Sequence, residues 1–244
     1  MTTPLLELRN ITVSYPERQE PVFRDLSLTL AEERLALVGP NGSGKTTLLH
    51  LMVGLLQPTT GEILFHGRPV RSEKEFRPLR REIGFLFQHV DDQLFSPTVL
   101  EDVTFGPLNL GFTPDQAVAT AEEVLEQVGL AGYGPRITHR LSGGEKRLVA
   151  LATVLAMKPK ALLLDEPTND LDPHSRQRLI SILARLDLAG IIISHDWDFL
   201  DQLATRFYAF DQGKLKPCGS PILHEHRHIH PLGDHDHSHA TGGL

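Results

Sequence analysis

The sequence predicts an α/β fold with a parallel-sheet core, an antiparallel β subdomain and an inserted helical subdomain. Residues 5–15 and 22–30 alternate apolar and polar side chains, which is typical of half-buried antiparallel strands. The apolar runs at 161–164 and 191–193 are bounded by turns and separated by a helical segment after Pro173. That arrangement indicates buried parallel strands joined by a crossover. The two kinds of strand therefore predict two β layers around a common core.

The next elements in chain order follow from turn and helix signals. Residues 35–38 form a short apolar strand, and a Gly-rich turn then leads into a helix that begins near Lys45 and stops before Pro58. A strand-like segment at 84–87 follows. We expect residues 88–107 to form a loop, because they are rich in turn-forming Asp and Pro.

A helix with clear ends comes next. Thr113 is suited to cap its N-terminus, Pro114 to occupy its first position, and Gly129 to lie just past its end. A second helix is expected over 144–157. Together with the preceding loop, these helices predict an inserted helical subdomain at about 89–157.

Length and composition define the class of protein. With 244 residues, 40% of them hydrophobic, the chain can bury a core, and we expect one domain at 1–220 followed by a disordered tail at 221–244. The formal charge of −7 argues against a nucleic-acid partner, because binding to phosphate backbones depends on clustered Lys and Arg. The start of the sequence lacks a secretory pattern, and the lone Cys218 agrees with a reducing compartment.

Residues 39–46 fit the pattern G-x-x-x-x-G-K-[ST] and lie between a buried strand and a helix, as in a P-loop NTPase core. The glycines let backbone N–H groups surround a triphosphate, Lys45 reaches the β and γ phosphates, and Thr46 binds Mg²⁺. The predicted ATP-binding residues of this loop are Gly39, Pro40, Asn41, Gly42, Ser43, Gly44, Lys45, Thr46 and Thr47.

Two acidic residues directly follow the apolar strand at 161–164. Asp165 and Glu166 stand at the carboxyl end of a predicted parallel strand, where ligands bind in open α/β sheets. We expect Asp165 to bind Mg²⁺ and Glu166 to act as general base toward the attacking water.

Residues 141–145, Leu-Ser-Gly-Gly-Glu, resemble the signature sequence of ATP-binding-cassette (ABC) ATPases. Hydroxyl and amide groups at a helix start form a second cradle for a γ-phosphate. The resemblance implies that Ser142, Gly143, Gly144 and Glu145 contact the ATP of an opposite subunit. It therefore implies a homodimer or a heterodimer of ATPase subunits, and the ABC-type nucleotide-binding fold.

The same resemblance implies roles for four further residues. Tyr15 corresponds to the aromatic residue that stacks on adenine, Gln88 to the glutamine that meets Mg²⁺ and the attacking water, and His195 to the histidine that contacts the γ-phosphate. Asp172 lies in the segment that corresponds to the dimer-crossing loop. Asn169 and the residue after it depart from the commoner forms of that loop, so Asp172 is the more secure assignment.

Residues 87–99 are similar to the segment that follows this glutamine in energy-coupling-factor (ECF) ATPases, with His89 and Val90 in place of Asn-Pro. The resemblance implies a groove for a transmembrane ECF subunit, a further substrate-binding membrane subunit, and a peripheral location on the cytoplasmic face of the membrane. Residues 141–147 also look like the cobalt and nickel branch of importers.

The tail alternates His with acidic residues, and imidazole suits cobalt, nickel, zinc and copper. Its candidate metal ligands are His224, His226, His228, His230, His235, His237 and His239. Other interpretations remain open: a vitamin or zinc importer, a non-transport ATPase acting on nucleic acid or ribosomes, and a tail that only stores metal.

Overall fold

The computed structural model describes residues 3–16, 20–211 and 213–219. The predicted tail histidines lie outside this range. Within it, no helix is both long and apolar enough to cross a membrane.

The smaller sheet is antiparallel and has the strand order β2-β1-β4-β5. The alternating patterns near the start of the sequence form its first two strands, as predicted, and each strand is slightly shorter than expected. Leu6 pairs with Leu30 on one side and with Phe65 on the other, which makes β1 an inner strand. The strands are β1 Leu6–Val13, β2 Phe23–Leu30, β4 Thr60–Phe65 and β5 Arg68–Pro69.

The larger sheet has the order β10-β9-β3-β8-β7-β6 in the described part of the chain. All its neighbouring strands are parallel except β9 and β10, which are antiparallel. The predicted parallel strands are present, with the crossover helix between β7 and β8. The strands are β3 Arg34–Val38, β6 Ile83–Leu86, β7 Ala161–Asp165, β8 Ala189–Ile193, β9 Arg206–Asp211 and β10 Lys214–Cys218.

The helices lie between these strands and in the inserted segment. They are α1 Lys45–Met52, α2 Glu73–Glu82, α3 Val99–Asn109, α4 Pro114–Gln127, α5 Gly143–Leu155, α6 Pro173–Arg185 and α7 Trp197–Leu203. The predicted insertion at 89–157 contains α3, α4 and α5, and its exact boundaries stay a prediction.

Helix α1 begins at Lys45 and ends before Pro58, as expected, and Gly54, two residues past its end, has φ +71°. One expectation about these elements was wrong. Residues 88–107 are not one loop: α3 begins at Val99, where Thr98 and Glu101 form a capping box. Pro107 lies in the last turns of α3, where it did not prevent helix formation.

The cap signals of α4 were read correctly. The Thr113 side chain accepts a hydrogen bond from the Gln116 N–H, Pro114 is the first helical residue, and Gly129 has φ +70°. Helix α5 begins at Gly143, one residue before the predicted start, because Ser142 is its N-cap.

The parallel sheet is buried on both faces, so its strands are continuously apolar. Leu162 and Leu164 pack with α3 to α6 on one face, and Leu163 packs with the antiparallel sheet and α1 on the other. This sandwich fixes the carboxyl ends of β3, β7 and β8 at one edge.

Candidate functional site

A cleft of about 400 Å³ opens at that edge of the parallel sheet. It brings together many residues that the sequence predicted separately, and it adds Val22, Asn169 and Ile193. Its lining consists of Tyr15, Val22, Asn41, Gly42, Gly44, Lys45, Thr46, Thr47, Gln88, Asp165, Glu166, Asn169, Ile193 and His195.

The Gly-rich turn forms one wall of the cleft. Gly44 has φ +105°, and a Cβ there would lie 2.5 Å from a Val22 methyl, so this position requires glycine. The ammonium of Lys45 donates to the carbonyl oxygens of Gly39 at 2.8 Å and Pro40 at 3.0 Å. Lys45 is buried, and burial lowers its pKa against the opposing effect of Glu166 and Asp165. A buried cation beside a Gly-rich turn at the N-terminus of a helix suits a polyphosphate.

Asp165 lies opposite, at the end of β7. It is 1% exposed, and its Oδ1 has no hydrogen-bond partner among the described residues. Burial raises the pKa of Asp165, and a hydrogen bond from Thr46 opposes that shift. Mg²⁺ prefers oxygen ligands. The Asp165 carboxylate, the Thr46 hydroxyl and the Gln88 amide oxygen therefore fit this ion.

Glu166 follows directly and has a left-handed backbone, with φ +45°. Its N–H donates to the carbonyl oxygen of Ile193 at 2.9 Å, which ties this strained residue to β8. Burial raises the pKa of Glu166, while the neighbouring His195 lowers it. The carboxylate is thus held in a poorly solvated position inside the cleft.

His195 connects the two walls. Its Nε2 lies 3.3 Å from Glu166 Oε1 and 3.0 Å from Asn41 Oδ1. Its backbone N–H donates to Glu166 Oε2 at 3.3 Å. The predicted base and the predicted γ-phosphate contact are therefore direct neighbours.

Tyr15 lies at the border between the cleft and the antiparallel sheet. Its hydroxyl is 3.5 Å from Thr47 Oγ1, and its ring packs against the core cluster below that sheet. This position leaves an aromatic side chain at the edge of the site, as an adenine contact requires.

The signature residues do not line this cleft. Ser142 caps α5, and Glu145 accepts hydrogen bonds from the Ser142 N–H at 2.8 Å and the Tyr133 hydroxyl at 2.8 Å. These bonds direct the Glu145 carboxylate back toward the helix cap, and they lower its pKa. Ser142 and Gly143 are exposed at the start of the helix.

Asp172 also lies outside the cleft. It caps α6, accepting from the N–H groups of His174 at 3.0 Å and Ser175 at 3.1 Å, and from the Ser175 hydroxyl at 2.6 Å. The Ser175 hydroxyl is the main cause of its lowered pKa. Helices α5 and α6 approach closely here, since a Cβ at Gly144 would lie 2.3 Å from Ser175 Oγ. It is Asn169, the less secure assignment from sequence, that lines the cleft.

Two residues that contact the segment around Gln88 were not assigned from the sequence. They are Arg147, which lies on α5, and Gln93, which lies five residues after Gln88. Arg147 donates to the carbonyl oxygens of Phe87 and Gln88, and Gln93 bonds to α5. The available signal was the position of Arg147 on a helix face that is otherwise apolar, among Leu148, Leu151 and similar residues.

Comparisons with known proteins show the family of this chain. A model of the ABC transporter family matches residues 23–169. A putative ABC transporter ATP-binding protein of Nitratidesulfovibrio vulgaris is 55% identical over 242 residues, which cover 98% of this chain and 88% of that protein. The energy-coupling factor transporter ATP-binding protein EcfA of Methanothermobacter thermautotrophicus is 44% identical over 223 residues, which cover 89% and 71%.

Solved structures share the fold. The cbiO1 protein of Clostridium perfringens, part of the ABC transporter complex cbiONQ, superposes with a TM-score of 0.78 at 33% identity, covering 88% of this chain and 87% of that one. An ATP-binding cassette in a dimeric post-hydrolysis state with ADP and Pi gives a TM-score of 0.79 at 26% identity, covering 89% and 100%. The predicted α/β architecture is confirmed.

Proposed function

This chain belongs to the ABC transporter family and is an ATPase whose hydrolysis is coupled to transport, and from that premise we propose that it energises an ECF-type importer for a transition-metal ion, cobalt or nickel. The residues of the cleft, the surface beside it and the tail each support one part of this proposal.

ATP is bound in a pocket that two chains complete together. Lys45, Thr46 and Asp165 of one chain hold the triphosphate side, and Tyr15 stacks on adenine. Ser142 and the amides that follow it, exposed at the start of α5 and absent from the cleft of their own chain, close the pocket from the other chain. The solved relative that is a dimer with ADP and Pi supports this arrangement.

Glu166 is the general base. As the water oxygen bonds to the γ-phosphorus, the bond from that phosphorus to the β–γ bridging oxygen breaks, and the Glu166 carboxylate takes the water proton, leaving ADP and phosphate. His195 holds the Glu166 carboxylate and contacts the γ-phosphate, and Gln88 orients the water. Mg²⁺, held by Thr46, Asp165 and Gln88, supplies positive charge that offsets charge on the phosphate oxygens.

The observation that carries the ECF assignment is an exposed aromatic patch, formed by Phe95, Phe105 and Leu108. The two phenyl rings meet edge to face at 4.9 Å, yet Phe95 is 65% and Phe105 is 50% exposed. Phe95 lies just after residues 91–93, the Asp-Asp-Gln of the ECF-like segment, and Phe105 and Leu108 lie on α3. Exposed apolar clusters of this kind mark protein interfaces, and we assign this one to the transmembrane subunit.

The relatives support the same assignment. EcfA and cbiO1 are ATP-binding proteins of ECF-type and cbiONQ transporters, and they match most of this chain. The proposed partners are a second ATPase subunit, a transmembrane ECF subunit and a substrate-binding membrane subunit. The protein therefore works at the cytoplasmic face of the membrane.

The choice of metal rests on the tail. Its histidines at 224–239 are interspersed with Glu225, Asp234 and Asp236, and these nitrogen and oxygen donors suit cobalt and nickel.

The patch is tested by changing both phenylalanines to Ser and purifying the tagged transporter from membranes. We expect the Phe95→Ser, Phe105→Ser variant to lose the transmembrane subunit and to keep its basal ATPase activity, because neither ring lines the cleft. Leu55→Ser, which removes an exposed apolar side chain elsewhere, is the matched control. Normal recovery of the membrane subunit with the double variant contradicts the assignment.

The ion is tested by metal accumulation in cells that carry the complete transporter. Cobalt or nickel should accumulate with the wild-type chain and not with Lys45→Ala, which loses the phosphate contact. Accumulation of zinc alone contradicts the proposed cargo. Equal uptake with Lys45→Ala contradicts import driven by ATP hydrolysis in this chain.

A further inference from the structure

The loop that carries Gln88, residues 87–93 and here called the Gln88 loop, is fastened to helix α5 by side chains at both of its ends. At the first end, the Arg147 guanidinium donates to the Phe87 carbonyl oxygen at 2.8 Å and to the Gln88 carbonyl oxygen at 2.9 Å. The planar fork of Arg thus holds two successive peptide groups at once.

Arg147 occupies an unusual place for a charged residue. It is 5% exposed, and burial lowers its pKa while Asp170 and Asp165 raise it. A buried charge is costly unless its hydrogen bonds are satisfied. Its two carbonyl acceptors belong to the Gln88 loop, so the loop and the guanidinium each depend on the other.

Gln93 fastens the second end of the loop. Its Oε1 accepts from the Phe87 N–H at 3.2 Å, and its Nε2 donates to the Ala150 carbonyl oxygen at 2.9 Å and to Thr153 Oγ1 at 3.0 Å. One amide therefore ties the loop to itself and to α5. An exposed ion pair between Lys146 and Asp91, at 2.7 Å, adds a weaker contact.

The loop and the helix serve different parts of the pocket. Gln88 lines the cleft, and Ser142 caps the N-terminus of α5, which the proposed dimer directs toward the second chain. We propose that Arg147 is a positioning residue, which acts through the Phe87 and Gln88 carbonyls to hold the Gln88 side chain at the attacking water, with Gln93 fixing the far end of the loop. This inference rests on the proposed role of Gln88.

The first test is Arg147→Lys, measured as ATP turnover by the full chain. Lys keeps the charge but cannot bond two successive carbonyls in one plane. We expect kcat to fall by about 10-fold or more, because small displacements of a positioned group slow catalysis strongly. The KM for ATP should stay within about twofold, because Lys45 and Thr46 are not touched.

Arg34→Lys is the matched control. Arg34 is also partly buried and donates to two backbone carbonyls, of Leu186 and Leu188, but it stands at the opposite end of the parallel strands. Its kcat should equal that of the wild type. A similar fall in kcat for Arg34→Lys would mean that a general packing effect explains both variants, and would overturn the inference.

A double-mutant cycle with Gln88→Ala separates the inference from the function it rests on. If Arg147 acts through Gln88, Arg147→Lys should cause little further loss of kcat in the Gln88→Ala background. If Gln88→Ala is slow and Arg147→Lys adds its full loss, Gln88 keeps its role and the positioning role of Arg147 is wrong. If Gln88→Ala turns over normally, the role of Gln88 is wrong and the inference falls with it.

Gln93→Glu supplies an independent variant in case Arg147→Lys folds poorly. It keeps an acceptor for the Phe87 N–H but places a carboxylate oxygen against the Ala150 carbonyl. The expected pattern is the same, with a lower kcat at an unchanged KM and little added loss in the Gln88→Ala background. An unchanged kcat in this folded variant overturns the role assigned to the far end of the loop.

Discussion

At the residue scale, Glu166 combines burial, a strained backbone and a histidine contact. Replacing it with Gln keeps its shape and its position beside His195 but removes the proton acceptor. We expect Glu166→Gln to lower ATP turnover by roughly 100-fold or more, on the usual scale for a lost acid or base group. ATP binding should persist, because Lys45 and the Gly-rich turn remain.

Turnover is followed by phosphate release and binding by equilibrium dialysis. Glu82→Gln is the control, since it also removes one carboxylate, but on α2 beside His66 and Lys160. Near-normal turnover by Glu166→Gln removes the residue from its assigned role.

Asp165 gives a prediction about stability. Because burial raises its pKa, the ionised carboxylate is less favourable in the folded chain than in the unfolded chain at neutral pH. A carboxyl group with a raised pKa contributes stability at acid pH, and that contribution is lost as the pH rises through the raised pKa. Asp165→Asn should therefore raise the Tm of the nucleotide-free protein at pH 7.5, by about 2 to 4 °C for each kcal/mol gained in a chain of this size.

The Tm of the same variant should rise less on addition of Mg²⁺ and ATP, because a proposed ion ligand is lost. Thermal unfolding with and without the nucleotide measures both effects, and chelation of Mg²⁺ should abolish the difference between the two proteins in how far ATP raises the Tm. Asp187→Asn, in the turn before β8, is the control and should not raise the Tm. A lower Tm for nucleotide-free Asp165→Asn contradicts the stated cost of its buried charge.

How far sequence reasoning reaches at this scale depends on what a residue contacts. Lys45 and Asp165 were predicted because ATP chemistry needs those residue types in a fixed order, and His195 because of the resemblance to ABC ATPases. The structure brings all three to one cleft. Arg147 and Gln93 could not be assigned in the same way, because their partners are backbone carbonyls and N–H groups far along the chain. Such contacts leave no residue pattern in the partner segment.

At the element scale, local signals decided which helices were predicted. Helix α4 has an N-cap, an initial Pro and a terminal Gly, and its limits followed from these residues. Helix α3 was missed because Pro107 reads as a loop residue, although the Thr98 and Glu101 capping box starts a helix and Val103 packs into the core. Tertiary burial outweighed the unfavourable Pro.

Helix α2 depends on a capping box that titrates. Glu75 accepts hydrogen bonds from the N–H groups of Arg71 and Ser72 and from the Ser72 hydroxyl, and these bonds lower its pKa to about 2. A lowered pKa contributes stability above the ordinary value of 4.5, and that contribution is lost as the pH falls toward 2. Glu75→Ala should therefore unfold at a lower Tm than wild type at pH 7. This difference in Tm, here called the Tm gap, should narrow below pH 4.5.

The gap is measured by thermal unfolding across this pH range. Glu122→Ala, at an exposed position on α4, is the control and should show a small gap that does not change with pH. A Glu75→Ala gap that is constant from pH 7 to the acid limit would show that its cap does not depend on the charge.

At the scale of the whole molecule, the parallel sheet could be predicted from its apolar runs, whereas the division of the ATP site between two chains was implied only by the resemblance of residues 141–145 to the ABC signature sequence. The structure shows the separation directly: the cleft lacks Ser142, which is exposed on α5. In the proposed pocket, a second chain with the same two surfaces supplies the missing residues, and a symmetric dimer forms two such pockets.

This arrangement predicts an ATP-dependent dimer that hydrolysis normally dissolves. Glu166→Gln, which retains ATP, should sediment as a dimer with Mg²⁺ and ATP and as a monomer with ADP. Adding Ser142→Arg to that variant should keep the particle monomeric, because a bulky cation replaces the hydroxyl that meets the partner's γ-phosphate. ATP affinity of the single chain should not change, since Ser142 lies outside its own cleft. If Glu166→Gln stays monomeric when saturated with ATP, even with its membrane partners present, the shared pocket is wrong; if the Ser142→Arg addition still dimerises, the two chains meet through another surface.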